Sequence, residues 1–315
     1  MSEYRKKAGV RKLRSINALV SELEISEVKG ALYNLFHHTG IDAFVKMTTG
    51  GSVWLSRIDQ MNDGTEVFND ADRTYAFCLT AKPTENVGMW IAYGLPRRDA
   101  IRVRFSGKAI FDFIKASNGR VSVNPVVEDN KVLSQAESGT ASLQYVGYVS
   151  RDGRRVHVRD KIYQIVSGQE MSREDIMNKC GSYIKRLGWA YEHEIRLVVR
   201  LDERIAAPRV QLAMPDVFEK LLTYKPRKKG NSCGMPSVIV GPWSEREKFK
   251  RDFLIKTKKL VCAELGDVMY FLSHADDERG LVRESEYKDE IRLGYCEECK
   301  KLRSCKCDYC EGGYK

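Results

Sequence analysis

Two rhythms of apolar and polar positions run along this chain. From Ser15 to about Leu35, Ile16, Leu19, Val20, Leu23, Val28, Leu32 and Leu35 recur at helical spacing, which predicts one helix or two. A short apolar stretch, LYNLFHHT, follows; GIDAFVKMTTGG then reads as a short helix ended by Gly50 and Gly51. SVWLS, RTYAFCLT, DAIRVRFS, SLQYVGYVS, RRVHVRD, YEHEIRLVVRL and SVIVGP read as strands, and QMNDGTE as a turn. NVGMWIAYG, EDIMNKCGSYIKRLG and SEREKFKRDFLIKTKKL carry helical spacing. Residues 117–140 show neither rhythm and read as polar and irregular. Strands outnumber helices without regular βαβ alternation, so the pattern predicts an α+β fold.

The stretch WAYEHEIRLVV, from Trp189 to Val199, holds two carboxylates close together. As a strand it places Tyr191, Ile195, Leu197 and Val199 on one face and Glu192, Glu194 and Arg196 on the other, because side chains alternate at a period of two. Such a face fits a solvated sheet with ion pairs along it. The sharper alternative is a cleft-lining strand whose glutamates manage a cationic intermediate.

At 315 residues the chain can bury a full core. No apolar run approaches the roughly 20 residues of a membrane span, and the basic N-terminus lacks the apolar core of a secretory signal. The net charge of +10 is unevenly placed. Residues 1–14, read as a flexible basic arm, carry Arg5, Lys6, Lys7, Arg11, Lys12 and Arg14 against Glu3. A second basic region runs from Lys225 through Lys228 to Lys259. Clusters of this kind attract phosphate backbones by counterion release, so nucleic acid is the expected partner; solubilising surfaces give the same pattern.

Of nine cysteines, Cys78, Cys180, Cys233 and Cys262 are scattered, as in a reducing cytoplasm. The other five crowd into CEECKKLRSCKCDYC. There Cys296-x-x-Cys299 and Cys307-x-x-Cys310 can place four thiolates around one structural Zn²⁺, with Cys305 as a substitute for Cys307. Residues 295–315 are thus expected as a zinc knuckle, joined by a charged helix or linker (273–294) to a main domain spanning 15–272.

The chain contains no G-x-G-x-x-G after a strand, no Walker phosphate loop, no G-x-S-x-G elbow and no H-E-x-x-H. Ordinary dehydrogenases, NTPases, serine hydrolases and zincin proteases lose ground accordingly. What it does contain, in order, is His37-x-Thr39, Trp54-x-Ser56, Asn62-Asp63-x-x-Glu66, Met89-Trp90-x-x-Tyr93, Glu192-x-Glu194-x-Arg196 and a late VIVGP. In this order, across roughly residues 33–245, the chain resembles a bacterial and phage family catalogued as domain of unknown function 2971. Gly64 replaces the family's usual proline, and Cys78 stands in a strand that often carries serine.

LFHHTGIDAFVKMTTGG also resembles the opening of ADP-ribosyltransferase folds, most of all the nucleic-acid-modifying branch of bacterial toxin and phage-defence systems. That resemblance implies mixed and antiparallel sheets around an NAD cleft, with flanking helices. It implies that His37 holds the adenosine ribose, Tyr93 or Trp90 stacks on nicotinamide, and Glu194 or Glu192 acts on the other ribose. Thr39, Ser56 and Arg196 would complete NAD binding; Asn62, Asp63, Glu66, Arg11, Lys12 and Lys228 would meet the acceptor. Glycosidic cleavage of NAD develops an oxocarbenium-like charge, which a fixed carboxylate stabilises. The second glutamate of a Glu-x-Glu pair usually holds that role in such transferases, which favours Glu194, and Glu192 would orient or deprotonate the acceptor.

The expectation is therefore a cytoplasmic NAD-dependent ADP-ribosyltransferase that modifies a macromolecule, nucleic acid before protein, as a toxin or antiphage effector with an antitoxin or regulatory protein as partner. An NAD glycohydrolase and a non-catalytic nucleic-acid-binding protein with a zinc knuckle are the alternatives.

Overall fold

A computed structural model describes residues 10–61, 63, 66, 68–81, 89, 90, 92, 100–159, 161–166, 172–222, 238–240, 268–272, 274–276, 281–283, 291–296 and 301–303. In chain order the elements begin β1 (Val10–Leu13), α1 (Ile16–Leu23), β2 (Asn34–Gly40), α2 (Ile41–Gly50), β3 (Ser52–Arg57) and β4 (Thr74–Thr80). They continue with β5 (Ala100–Ser106), α3 (Gly107–Ala116), β6 (Arg120–Val126), β7 (Glu137–Tyr145), β8 (Gly147–Val149), β9 (Arg155–Val158) and β10 (Lys161–Ile165). After α4 (Arg173–Cys180) come β11 (Ile184–Arg186), β12 (Glu194–Leu201), β13 (Arg209–Ala213) and α5 (Pro215–Leu222). The last are β14 (Val238–Val240), β15 (Val268–Leu272), β16 (His274–Asp276), β17 (Leu281–Arg283), β18 (Ile291–Cys296) and β19 (Lys301–Arg303). Helices and strands mix as an α+β fold, in two compact units.

The first unit comprises residues 1–30, 53–81 and 111–213. Six of its strands close a barrel in the order β12-β7-β6-β13-β3-β4, with β4 pairing back onto β12. β12 is central: it pairs antiparallel with β4 on one side and β7 on the other. A strand covered on both faces reads as a near-continuous apolar run, and every β12 residue except Arg200 is buried. Arg196 thus lies among Val198, Cys78 and Gln144, with no solvated face to occupy.

Beside the barrel strands the same unit carries a five-stranded sheet, β1-β10-β9-β8-β11. Tyr163, Val156, Val158, Val149 and Ile184 pack one of its faces against Leu19, Leu23, Ile176 and Met177 of α1 and α4. Ser15 caps α1 by accepting from the Ala18 backbone N–H, and Ser172 with Asp175 forms a reciprocal capping box on α4. Val10–Leu13, at the end of the expected flexible arm, is the edge strand of this sheet, parallel to β10.

The second unit comprises residues 31–52, 82–110 and 214–315. β2, β5 and β14 pair antiparallel, β15 joins β14 in parallel, and β18 and β19 follow; β16 and β17 form a separate pair. α2 ends as expected on Gly51, whose left-handed φ of +53° suits glycine. Gly107 is required by a close approach, since a Cβ there would stand 1.8 Å from the Leu32 carbonyl oxygen.

Several elements differ from the sequence pattern. α1 stops at Leu23; Val28 lies in the connection after it, Leu32 in a 3-10 turn at Gly30–Tyr33 and Leu35 in β2. Residues 117–140 contain β6 and the start of β7. β6 does alternate, with Val121, Val123 and Pro125 buried between Arg120, Ser122 and Asn124, but the rhythm is short and Pro125, which has no N–H for a ladder, speaks against a strand. α4 ends at Cys180, where Gly181 adopts φ +55°, and the chain continues into β11. The expected strand YEHEIRLVVRL begins only at Glu194; Leu187–Glu192 is a 3-10 turn. Of the charged stretch 273–294, the described residues are in β16, β17 and the start of β18. The late helix SEREKFKRDFLIKTKKL lies outside the described residues. Among the described residues, no helix is long and apolar enough to cross a membrane.

Candidate active site: a buried carboxylate cluster

Three glutamates, one lysine and one arginine of the first unit converge. Glu66 enters from the N-D-G-T-E turn, which its own N–H helps close by donating to the Asp63 carbonyl. Lys185 comes from β11, Glu192 from the end of the 3-10 turn, and Glu194 and Arg196 from the start of β12. Glu192 and Glu194 do not lie on one strand as the alternation suggested. His193 between them adopts the left-handed region, φ 46°, and reverses the chain there. A non-glycine residue in that region carries strain that surrounding contacts must hold.

Lys185 Nζ stands 2.8 Å from Glu192 Oε2, 2.8 Å from Glu194 Oε2 and 3.5 Å from Glu66 Oε1. Arg196 Nε donates to Glu194 Oε1 at 2.8 Å, and Nη1 lies 2.6 Å from Glu66 Oε2. The last contact is an ion pair between two fully buried side chains. Arg196 Nη1 also donates to the Ser182 carbonyl, which Gln144 Nε2 reaches too. Tyr148 Oη accepts from the Glu194 backbone N–H at 2.8 Å. The five charged side chains are 0–5% exposed.

Burial and pairing compete at each group. Burial alone would raise Glu194, but Arg196 and Lys185 outweigh it and bring its carboxyl down to about 2. Glu192 ends on the other side of its ordinary value: burial raises it, and Lys185 offsets only part of that. Burial would lower both cations; Glu194 leads the carboxylates that instead hold Lys185 and Arg196 above their usual ranges. Burial and the neighbouring Glu194 push the Cys78 thiol up. Glu194 therefore stays ionised throughout the physiological range, while Glu192 binds a proton more readily than an ordinary carboxylate.

The other expected residues are divided between the two units. Ser56 is half-buried on β3 opposite Ala76, and buried Asp63 precedes Glu66 in the turn. His37 and Thr39 are half-buried on β2 of the second unit, opposite Val103 and Ile101. Trp90 of that unit is fully buried, its ring edge-on to His38 at 5.0 Å between centroids, so its face is not open for stacking. Arg196 turns its guanidinium to Glu194, Glu66 and the Ser182 carbonyl, which makes it a residue that positions carboxylates. Arg11 and Lys12 are exposed on β1.

Tyr93, Asn62 and Lys228 lie outside the described residues, as do Cys299, Cys307 and Cys310; Cys296 ends β18. Among the described residues, no group of three or more histidine, cysteine or acidic side chains is placed to hold a metal.

Lys185 and Tyr148 are the cluster residues that the sequence pattern missed. Lys185 was concealed in an apparent helix, and only the helix-ending Gly181 hinted at a strand after it. His38, rather than His37, is the buried histidine of β2, with Arg102 on the strand opposite; burial, then Arg102, holds its imidazole well below the usual range.

Comparison with protein-family models, curated proteins and solved structures returned no match.

Proposed function

We propose that this chain is an NAD-dependent ADP-ribosyltransferase acting on a macromolecule, with nucleic acid as the favoured acceptor, and that its α+β framework is ADP-ribosyltransferase-like. One observation carries the reading. Glu192 and Glu194 contact the same ammonium, yet their surroundings push protonation in opposite directions. Two carboxylates separated in this way are what a reaction needs when one must remain anionic and the other must take up a proton.

In the proposed step, the bond between nicotinamide and ribose C1 breaks, and its electron pair leaves with nicotinamide. Glu194 stabilises the positive charge that develops at C1. An acceptor oxygen or nitrogen forms the new bond to C1, and Glu192 takes its proton. Lys185 and Arg196 orient the two carboxylates. The family resemblance adds His37, Thr39, Ser56 and Tyr93 for NAD, and a toxin or antiphage role in the cytoplasm with an antitoxin as regulator. With water as acceptor the same step is NAD glycohydrolysis.

A second reading starts from burial. A cluster only 0–5% exposed is also what an ionic staple of a non-catalytic nucleic-acid-binding protein looks like. Incubation with labelled NAD and separate RNA, DNA and protein pools separates the two. Label transferred to one pool is expected; NAD left intact in all three would leave the staple.

A further inference from the structure

The five-stranded sheet of the first unit has a second face, opposite the one packed on α1 and α4. Register places Val10, Ile162, His157, Tyr148 and Lys185 in one row across β1, β10, β9, β8 and β11. Lys12, Gln164 and Arg155 form the adjoining row. The rows change character along their length. Val10, Lys12 and Arg155 are exposed and Ile162, Gln164 and His157 half-buried, whereas Tyr148 and Lys185 are buried at the carboxylate cluster. Strands lie about 4.8 Å apart, so the outer cations stand on the order of 10–20 Å from Lys185.

We propose that this face binds a single-stranded nucleic acid, with Lys12 and Arg155 on its phosphates, and leads it toward Glu192 and Glu194. The argument is charge complementarity on a defined surface. Among the described residues, neither Lys12 nor Arg155 makes an ion pair, and both are exposed. Asp152, the neighbouring described carboxylate, is held in the β8–β9 turn, where Ser150 Oγ and the Arg154 N–H donate to it. A guanidinium on β9 and an ammonium on β1, with Gln164 of β10 between them, suit separate phosphates of one strand, since arginine binds phosphate oxygens through a planar fork and lysine as a point charge. An unpaired strand fits the cluster better than a duplex, because bases within a duplex stack keep their reactive edges from an enzyme site.

The proposal rests on the transferase reading only for what the strand is led to; the binding itself needs no NAD. Its test is therefore fluorescence anisotropy of labelled 20-nucleotide single-stranded RNA and DNA with the full chain, without NAD, over a salt series. Lys12→Glu with Arg155→Glu should weaken binding at least tenfold. The slope of log K against log salt should fall by about 1.4, at about 0.7 per phosphate contact on a single strand. The milder pair Lys12→Gln with Arg155→Gln should move both quantities the same way, and thermal melting checks the fold of each. Lys179→Glu, on α4, should leave both unchanged. Unaltered affinity and slope in the folded double variants would overturn the assignment, as would an equal loss in Lys179→Glu. Binding to phosphatidylserine vesicles but to neither oligonucleotide would overturn it in favour of a membrane surface. Loss of NAD cleavage in other variants would not touch it.

Discussion

Lys185 and Glu194 form a 2.8 Å ion pair in which neither side chain is more than 5% exposed, although Glu194 is the first residue of its strand and Lys185 sits on a strand of three residues. The same ammonium also meets Glu192 and Glu66, so one cation compensates parts of three buried carboxylates. Removing it leaves charges that neither solvent nor Arg196 alone can satisfy. Lys185→Met should therefore destabilise the protein by about 3–5 kcal/mol at neutral pH, the usual penalty for breaking a buried pair. The deficit should shrink as pH falls and the carboxylates protonate. Urea denaturation at pH 7 and pH 5 measures both; parental stability at pH 7 would show that the cluster does not hold β11 in place.

Glu194 also gives the parent a specific acid sensitivity. Its folded carboxyl lies at about 2, below the ordinary 4.5, so its contribution is complete above pH 4.5 and is lost as pH falls toward 2. The loss is on the order of 3 kcal/mol. Glu192, shifted upward, acts in the opposite sense: its contribution is complete below its unfolded value and fades as pH rises through the folded one. Glu194→Gln should flatten the acid limb of a stability–pH profile between pH 4.5 and 2. A limb of parental steepness would assign the acid sensitivity to other carboxylates.

His193 is a separate mechanical test. Its φ of 46° turns the chain between the two glutamates, and a β-branched residue resists that region by roughly 1–2 kcal/mol. His193→Val should lower the melting temperature, whereas His193→Gly, which adopts positive φ freely, should lower it much less. Equal effects would mean that the imidazole's contacts matter and the backbone does not.

The cysteine tail makes an independent claim. Two Cys-x-x-Cys pairs seven residues apart should hold about one Zn²⁺ per chain. Cys299→Ser with Cys310→Ser in the full chain should abolish stoichiometric zinc, read by elemental analysis of dialysed protein. Zinc retained at one equivalent would place the metal elsewhere.

What the sequence made legible, and what it did not, follows from where the information sits. β3, β4, β5 and β9, together with α2, were readable because each carries a local rhythm or a terminal glycine. The closure of β12 onto both β4 and β7 was not, since pairing partners far apart in the chain leave no local trace. Residues Glu192, Glu194 and Arg196 were visible as a charged group inside an apolar stretch. Their geometry was misread because alternation cannot report a left-handed residue such as His193. Glu66 was noticed only through its turn, and Lys185 escaped because β11 is three residues long and follows a helix. Charge compensation across elements is a tertiary fact, and a buried lysine looks in sequence like any exposed one.

Turnover decides what the two glutamates do. If Glu194 stabilises the developing ribosyl charge, Glu194→Gln keeps its shape and hydrogen-bonding capacity but removes the charge. NAD cleavage should then fall roughly a hundred- to thousandfold, or on the order of 3–4 kcal/mol. If Glu192 accepts the acceptor's proton, Glu192→Gln should impair transfer more than cleavage, and the transfer rate should lose its dependence on the basic form of that group. A purely ionic staple gives another pattern: both variants lose stability, with whatever turnover exists unchanged at temperatures where they remain folded. Measuring NAD cleavage, transfer and thermal unfolding on the same three proteins separates the cases. A folded Glu194→Gln protein that cleaves NAD at the parental rate would end the transferase reading, because that reading assigns the stabilisation of the ribosyl charge to this carboxylate.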